Sequence, residues 1–146
     1  MEIKNISNRE EIRQLLEEFS SSFIPSLEER VDDLDAYAEK LSINAINLVL
    51  LVENEIIGFI CFYANNLESR KAYISLICIK REFQKRGYAT LLLEKMFELC
   101  KDTMNCVELE VYSKNKKAVD FYKKNGFSKT ERKSIDSDTF YMQRHL

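Results

Sequence analysis

Apolar and polar positions follow two periods along this chain, and the switches between them mark out its elements. From Ile74 to Ile79 the run Ile-Ser-Leu-Ile-Cys-Ile has no breaker and a surplus of β-branched side chains, the pattern of a buried strand. Shortly after it, Ala89, Leu92, Leu93, Met96 and Cys100 recur at helical spacing, with Glu94, Lys95, Glu98 and Lys101 on the other side. That spacing predicts an amphipathic helix packed on a sheet by one face. Between strand and helix, Gln84-Lys85-Arg86-Gly87-Tyr88-Ala89 forms a tight junction.

The remaining pattern fills in around this centre. Residues 1 to 6 alternate weakly as a short strand, and Ser7 or Asn8 can cap a helix with the apolar stripe Ile12, Leu15, Leu16, Phe19. Ser20-Ser21-Ser22 and Pro25 break it. Ser26, with Glu29, caps a second helix whose stripe is Leu27, Val31, Leu34, Ala38 and Leu41. Ile46 to Val52 and Ile56 to Tyr63 read as a hairpin around Asn54-Glu55, in which Gly58 marks a bulge or a close approach. A polar loop, Asn65 to Lys71, leads to the central strand. Val107, Leu109 and Val111 alternate with Glu108, Glu110 and Tyr112, giving a strand with one apolar face. A basic helix from Asn115 to Asn125 turns Ala118, Phe121 and Tyr122 inward, and Gly126 ends it as a left-handed C-cap, with Phe127 closing the apolar contact. The tail, broken near Asp136-Ser137-Asp138, reads as a final hairpin through Phe140 to His145.

Composition narrows the class. A chain of 146 residues suits one domain, 1–146. Its net charge of −2 gives no reason to expect a nucleic-acid partner. No apolar run approaches about 20 residues, so no membrane span is expected. Met1-Glu2-Ile3-Lys4 lacks the apolar core of a signal peptide, which points to the cytoplasm. Cys61, Cys78, Cys100 and Cys106 sit in apolar surroundings without CxxC spacing and read as reduced packing residues. With His145 as the single histidine, histidine-based zinc chemistry and a Ser-His-Asp triad are disfavoured, and no metal is expected. Catalysis must then use carboxylates, tyrosines and backbone.

The junction carries chemistry of its own. A helix opening at Gly87 leaves its first N–H groups unpaired beside the positive end of the dipole, a setting suited to phosphate, with Lys85 and Arg86 adding charge. The bland alternative is an ordinary strand-to-helix turn with two solvated basic residues. The wider order Ile77-x-Ile79, then Gln84-x-x-Gly87-x-Ala89, resembles the acetyl-CoA-binding motif of the GNAT superfamily of N-acyltransferases. A second signature follows: Leu109-Glu110-Val111, then Asn115-x-x-Ala118-x-x-Phe121-Tyr122-x-x-x-Gly126-Phe127. It is similar to the strand and helix that carry the pantetheine contact and catalytic tyrosine in that family.

The resemblance implies an α/β (α+β) GNAT fold: a mixed, mostly antiparallel sheet of about seven strands flanked by four helices, in the order β-α-α-β-β-β-α-β-α-β-β. It implies acetyl-CoA as cosubstrate, with the pantetheine arm against the backbones of Ile77 and Ile79 and the pyrophosphate on amides from Gln84 through Lys85, Arg86, Gly87 and Tyr88 to Ala89. Thr90 offers a hydroxyl contact, Asn115 meets the pantetheine region, and Tyr122 stands by the thioester sulfur as general acid. Many relatives carry a glutamate on the central strand, where this chain has Ala72-Tyr73-Ile74-Ser75. Glu110 resembles the base of the branch that modifies ribosomal proteins; Tyr73, Tyr112 or a water chain are the alternatives. The expected activity is acetyl transfer to a primary amine of a small molecule or peptide by direct attack in a ternary complex, by a monomer or homodimer. A catalytically silent acyl-CoA sensor or interaction module is the alternative. The acidic stretch Asp32, Asp33, Asp35 would favour a cationic acceptor.

Overall fold

A computed structural model describes all 146 residues. The strands are β1 (Glu2–Asn5), β2 (Ile46–Val52), β3 (Glu55–Tyr63), β4 (Lys71–Ile79), β5 (Cys106–Tyr112), β6 (Ser128–Lys129) and β7 (Thr139–His145). They form one seven-stranded sheet in the order β1-β2-β3-β4-β5-β7-β6. Every neighbouring pair is antiparallel except β4 and β5. The helices are α1 (Arg9–Phe19), α2 (Leu27–Arg30), α3 (Leu34–Asn44), α4 (Tyr88–Cys100) and α5 (Lys116–Lys124).

The sheet is covered on both faces, which is why β2, β3 and β4 read as nearly continuous apolar runs. On one face, Leu92, Leu93 and Met96 of α4 and Val119 of α5 pack on Leu48, Ile60 and Val107. On the other, Ile12, Leu16 and Phe19 of α1 and Ala38 and Leu41 of α3 pack on Val49, Phe59 and Leu76. All four cysteines are buried and unpaired.

The helix count differs from expectation. The stripe from Leu27 to Leu41 is one apolar face but two helices, interrupted at residues 31–33. Asp33 takes an extended conformation and its carboxylate accepts from the Ala36 amide at 3.1 Å, so it starts α3 as an N-cap. A strong cap inside a periodic stretch outcompeted helix continuation. Asn8, not Ser7, caps α1, accepting from the Glu11 amide at 3.0 Å. The β2–β3 turn is Glu53-Asn54, both at positive φ, with Val52 paired to Glu55. Two consecutive left-handed residues make the tight turn that matches strand twist.

Two bulges shape the centre of the sheet. In β3, Gly58 pairs with Leu50 while Ile56 pairs with Leu51, and Gly58 lies against Ile79 and the Cys78 carbonyl, so both expectations for this glycine hold. In β4 the register slips at Ser75: Ile74 opposes Phe62 and Leu76 opposes Cys61. The slip reverses the alternation, since Ala72 and Ile74 face α4 whereas Leu76 and Cys78 face α1 and α3. Tyr37 of α3 holds the bulge through a 2.5 Å hydroxyl contact with Ser75.

A Cβ on residue 58 would stand 2.7 Å from the Cys78 carbonyl oxygen. Gly58→Ala is therefore expected to cost about 1–3 kcal/mol, as overpacking does. Urea unfolding should show a lower midpoint at unchanged m, and an unshifted midpoint would mean that β4 can retreat from β3.

Candidate active site

The site begins where the parallel pair ends. β4 and β5 pair over three positions only, Lys71 with Cys106, Ala72 with Val107 and Tyr73 with Glu108. The Ser75 bulge follows immediately, and a bulged strand bends. From there the two strands separate, leaving the edge of Ile74–Ile79 that faces β5 without a strand partner. The gap is a cleft lined by Ile74 to Ile77 of β4, Leu109 to Tyr112 of β5 and Ala118 and Tyr122 of α5, with Phe23 and Arg30 from the N-terminal segment. It continues through Ile24, Tyr112 and Asn115 into a wider outer cavity of about 440 Å³ bordered by Lys114, Lys116 and Lys117.

Beyond Ile79 the chain makes a single 3-10 turn, Arg81–Phe83, and then the junction loop. Lys85 and Gly87 both take positive φ, 64° and 84°, with Arg86 between them. Alternating left-handed residues curl backbone N–H groups into an anion-binding concavity. Gly87 is the N-cap of α4 and supplies no side-chain cap; the first helical bond runs from the Leu91 amide to the Gly87 carbonyl at 3.1 Å. The amides of Tyr88, Ala89 and Thr90 thus have no partner within the helix. Gln84 bridges the cleft: its amide nitrogen donates to the Ile79 carbonyl at 2.9 Å, and its oxygen accepts from Lys117 Nζ at 2.6 Å. Of the two strand residues expected to offer backbone, Ile79 therefore has its carbonyl engaged, while Ile77 lines the cleft.

Tyr122 and Asn115 reach the cleft from α5. Asn115 is also the N-cap, its side chain accepting from the Ala118 amide at 3.3 Å. At the other end, Gly126 at φ 89° stops the helix; its amide donates to Lys123 O and the Phe127 amide to Tyr122 O, at 3.1 and 3.0 Å. These two bonds are a Schellman motif, and its apolar contact is the edge-on packing of Phe127 against the Tyr122 ring at 5.7 Å. The Tyr122 hydroxyl bonds no protein group. Burial raises its pKa, partly opposed by the Arg30 charge, so it stays protonated well past neutrality.

Glu110, exposed on β5, also lines the cleft. Its Oε2 accepts from Ser134 and Thr139 hydroxyls at 2.5 and 2.6 Å. Its neighbour Glu108, expected on a polar strand face, is instead buried and paired with Arg132, which stacks on Tyr141 at 4.0 Å. Tyr73 is pushed up to about 12 by burial and then by the Glu110 charge, so its hydroxyl is protonated at neutral pH.

The model of the acetyltransferase (GNAT) family matches residues 10–127, well over half of the chain. The chain belongs to this family. An uncharacterised N-acetyltransferase of Methanocaldococcus jannaschii is 36% identical over 85 residues, covering 55% of this chain and 38% of that protein. An L-amino acid N-acetyltransferase of Escherichia coli is 28% identical over 83 residues, covering 55% and 51%. The chain thus spans about half or less of the curated relatives it matches. Among solved structures, the PaiA N-acetyltransferase of Thermoplasma acidophilum, in complex with coenzyme A, matches over 100% of both chains with a TM-score of 0.72 at 19% identity, a likeness of fold. The mostly antiparallel seven-stranded sheet of this GNAT protein is the one that the resemblance implies. No helix is long and apolar enough to cross a membrane.

Arg30, Ser134, Thr139 and Lys117 escaped sequence reading. Arg30 comes to the cleft, and Ser134 and Thr139 to Glu110, from segments that carry no motif, whereas Lys117 lies on α5 itself and is marked only by its bond to Gln84.

Loss of the α5 cap in Asn115→Ala should lower stability by about 1 kcal/mol. Asn115→Asp, which can accept the same bond, should restore it. An Ala variant with the wild-type unfolding midpoint would show the cap to be dispensable.

Proposed function

We propose that this chain transfers the acetyl group of acetyl-CoA to a primary amine by direct attack in a ternary complex. What carries the reading is a coincidence along one cleft: an unpartnered strand edge, a helix opening with free amides and an unbonded tyrosine hydroxyl. The pantetheine arm lies along β4 at Ile77 and Ile79, replacing the missing strand partner. The pyrophosphate rests on the turn from Gln84 to Ala89, with Thr90 alongside and Asn115 near the pantetheine.

Acetyl-CoA supplies an activated acyl carbon, and the chain supplies the proton movements and charge. A lysine-like amine, with a pKa of about 10.4, arrives mostly protonated at neutral pH, so a base must act. Glu110 is that base, its Oε2 fixed by two hydroxyls and its other oxygen left available. A β4 N–H freed by the splay faces the charge that develops on the carbonyl oxygen. The departing thiolate takes its proton from Tyr122, whose raised pKa keeps that proton available. One observation favours the silent acyl-CoA module instead: β4 has no carboxylate at Ala72-Tyr73-Ile74-Ser75. Turnover decides between them.

Thiol release from acetyl-CoA across a panel of amines, with CoA binding followed by calorimetry, tests the proposal. Tyr122→Phe should lower kcat by about 10- to 1000-fold with CoA affinity largely kept, the range of general acid–base catalysis; an unchanged kcat would remove Tyr122 from the chemistry. In the wild type, tyrosine ionisation should cause no loss of kcat up to about pH 10, since burial moves Tyr122 above the ordinary tyrosine value. A fall in kcat between pH 8 and 9 that Tyr122→Phe abolishes would contradict the raised pKa. For Glu110→Gln, the loss should be greatest at neutral pH and partly recover at alkaline pH, where the amine deprotonates unaided; a profile parallel to wild type would count against Glu110 as base.

A further inference from the structure

The charged side chains that line the inner cleft are Arg30 and Glu110, one cation and one anion. Glu110 is accounted for as the base. Arg30 ends α2 and lies with its guanidinium 5.2 Å from the centre of the Phe23 ring. It takes no part in the ion pairs of the chain, which engage Arg13, Lys80, Lys95 and Arg132. Arg132, the other guanidinium near Glu110, is committed to Glu108 and to the Tyr141 ring. In the acidic stretch Asp33 caps α3 and Asp35 pairs with Arg13 at 2.7 Å, and neither they nor Asp32 forms an ion pair with Arg30. Arg30 lines the same cleft as Glu110 and Tyr122, which places it beside the reacting end.

A guanidinium beside an aromatic ring, with no side-chain hydrogen bond or ion pair within the chain, is suited to grip a carboxylate through paired hydrogen bonds. We infer that Arg30 is the anchor for a carboxylate on the acceptor, so that the acceptor is a free α-amino acid, its amine toward Glu110 and Tyr122 and its carboxylate on Arg30. This rests on the acetyl-transfer reading above and narrows its acceptor. A polyamine or aminoglycoside would set a positive charge against Arg30, whereas a zwitterion matches both walls at once.

The test compares L-amino acids with their C-terminal amides, which present the same amine without the carboxylate. The acids should be preferred in kcat/KM by about 10- to 100-fold, the range of a charge-assisted hydrogen bond at a partly exposed site. In Arg30→Gln that acid-over-amide ratio should fall toward one, chiefly through KM of the acid, and Arg30→Lys should recover part of it. The ratio does not depend on how much of a variant is folded. Calorimetric binding of amino acid and amide to the CoA-loaded protein runs alongside. Amides used as well as acids, or a ratio untouched in Arg30→Gln, would overturn the anchor while leaving the transferase standing. Carboxylate-selective binding that Arg30→Gln abolishes, without turnover of any amine, would keep the anchor and overturn the transferase. Neither binding nor turnover of amino acids, with other amines acetylated, would leave the transferase and refute the anchor; with no amine acetylated, both fall.

Discussion

Everything at the candidate site depends on a parallel pairing that stops after three residues. Parallel ladders normally continue until a strand ends, because each abandoned position leaves backbone groups to be satisfied elsewhere. Here β4 extends through Ile79 and β5 through Tyr112, yet their pairing ends at Tyr73 and Glu108. The Ser75 bulge supplies the mechanical cause, turning β4 away at the first residues beyond the last pair. It also sets the inventory of the cleft, since reversal of the alternation sends Leu76 and Cys78 into the α1/α3 core and leaves Ile77 on the α4 side. A sheet built for stability alone would close this gap. Keeping it open creates a slot in which an amide-bearing chain can complete the ladder.

The second constraint is the way α5 is stopped. Tyr122 belongs to the last turn of a nine-residue helix, where fraying would ordinarily spread a side chain over several positions. Its carbonyl accepts the Schellman bond from Phe127, and its ring is pinned by the same Phe127. Arg144 of β7 then donates to Asn125 O at 2.8 Å while stacking on Phe97 at 4.1 Å, tying the end of α5 to both the sheet and α4. A glycine read from sequence as a helix stop is thus also what orients the proposed acid. Lys117 and Gln84 do the same for the opposite end, joining the first turn of α5 to the junction loop.

What could be read from the sequence was what depends on near neighbours in the chain. The buried strand, the Gly87 junction, the α4 stripe and the Gly126 stop are written in runs of a few residues, and the structure places them as expected. Even the split of the second helix is local in origin, since Asp33 could have been weighed as a cap against the stripe that runs through it. Contacts made by the tail were not legible. Glu108 alternates correctly as a polar position, and only the return of residues 130–141 over β5 buries it against Arg132. Ser134 and Thr139 reach Glu110 by the same return, so the environment of the proposed base is set by a segment that carries no motif.

The charge of the acceptor side depends on more than a count along the chain. Asp32, Asp33 and Asp35 make the N-terminal helical region acidic in sequence, and that would argue for a cationic acceptor if the charge faced the cleft. A cap carboxylate satisfies backbone donors and acts over about one helical turn, and an ion-paired one has its field largely cancelled at a Debye length of about 8–10 Å. Of the three, Asp33 is the cap and Asp35 is paired with Arg13. Arg30 lines the cleft together with Tyr122 and has no ion pair, so under the proposal it, rather than Asp33 or Asp35, sets the charge that an acceptor meets. Arg30 and Glu110 are the charged side chains that line the inner cleft, and the proposed acceptor specificity rests on these two rather than on the charge of the surrounding helices.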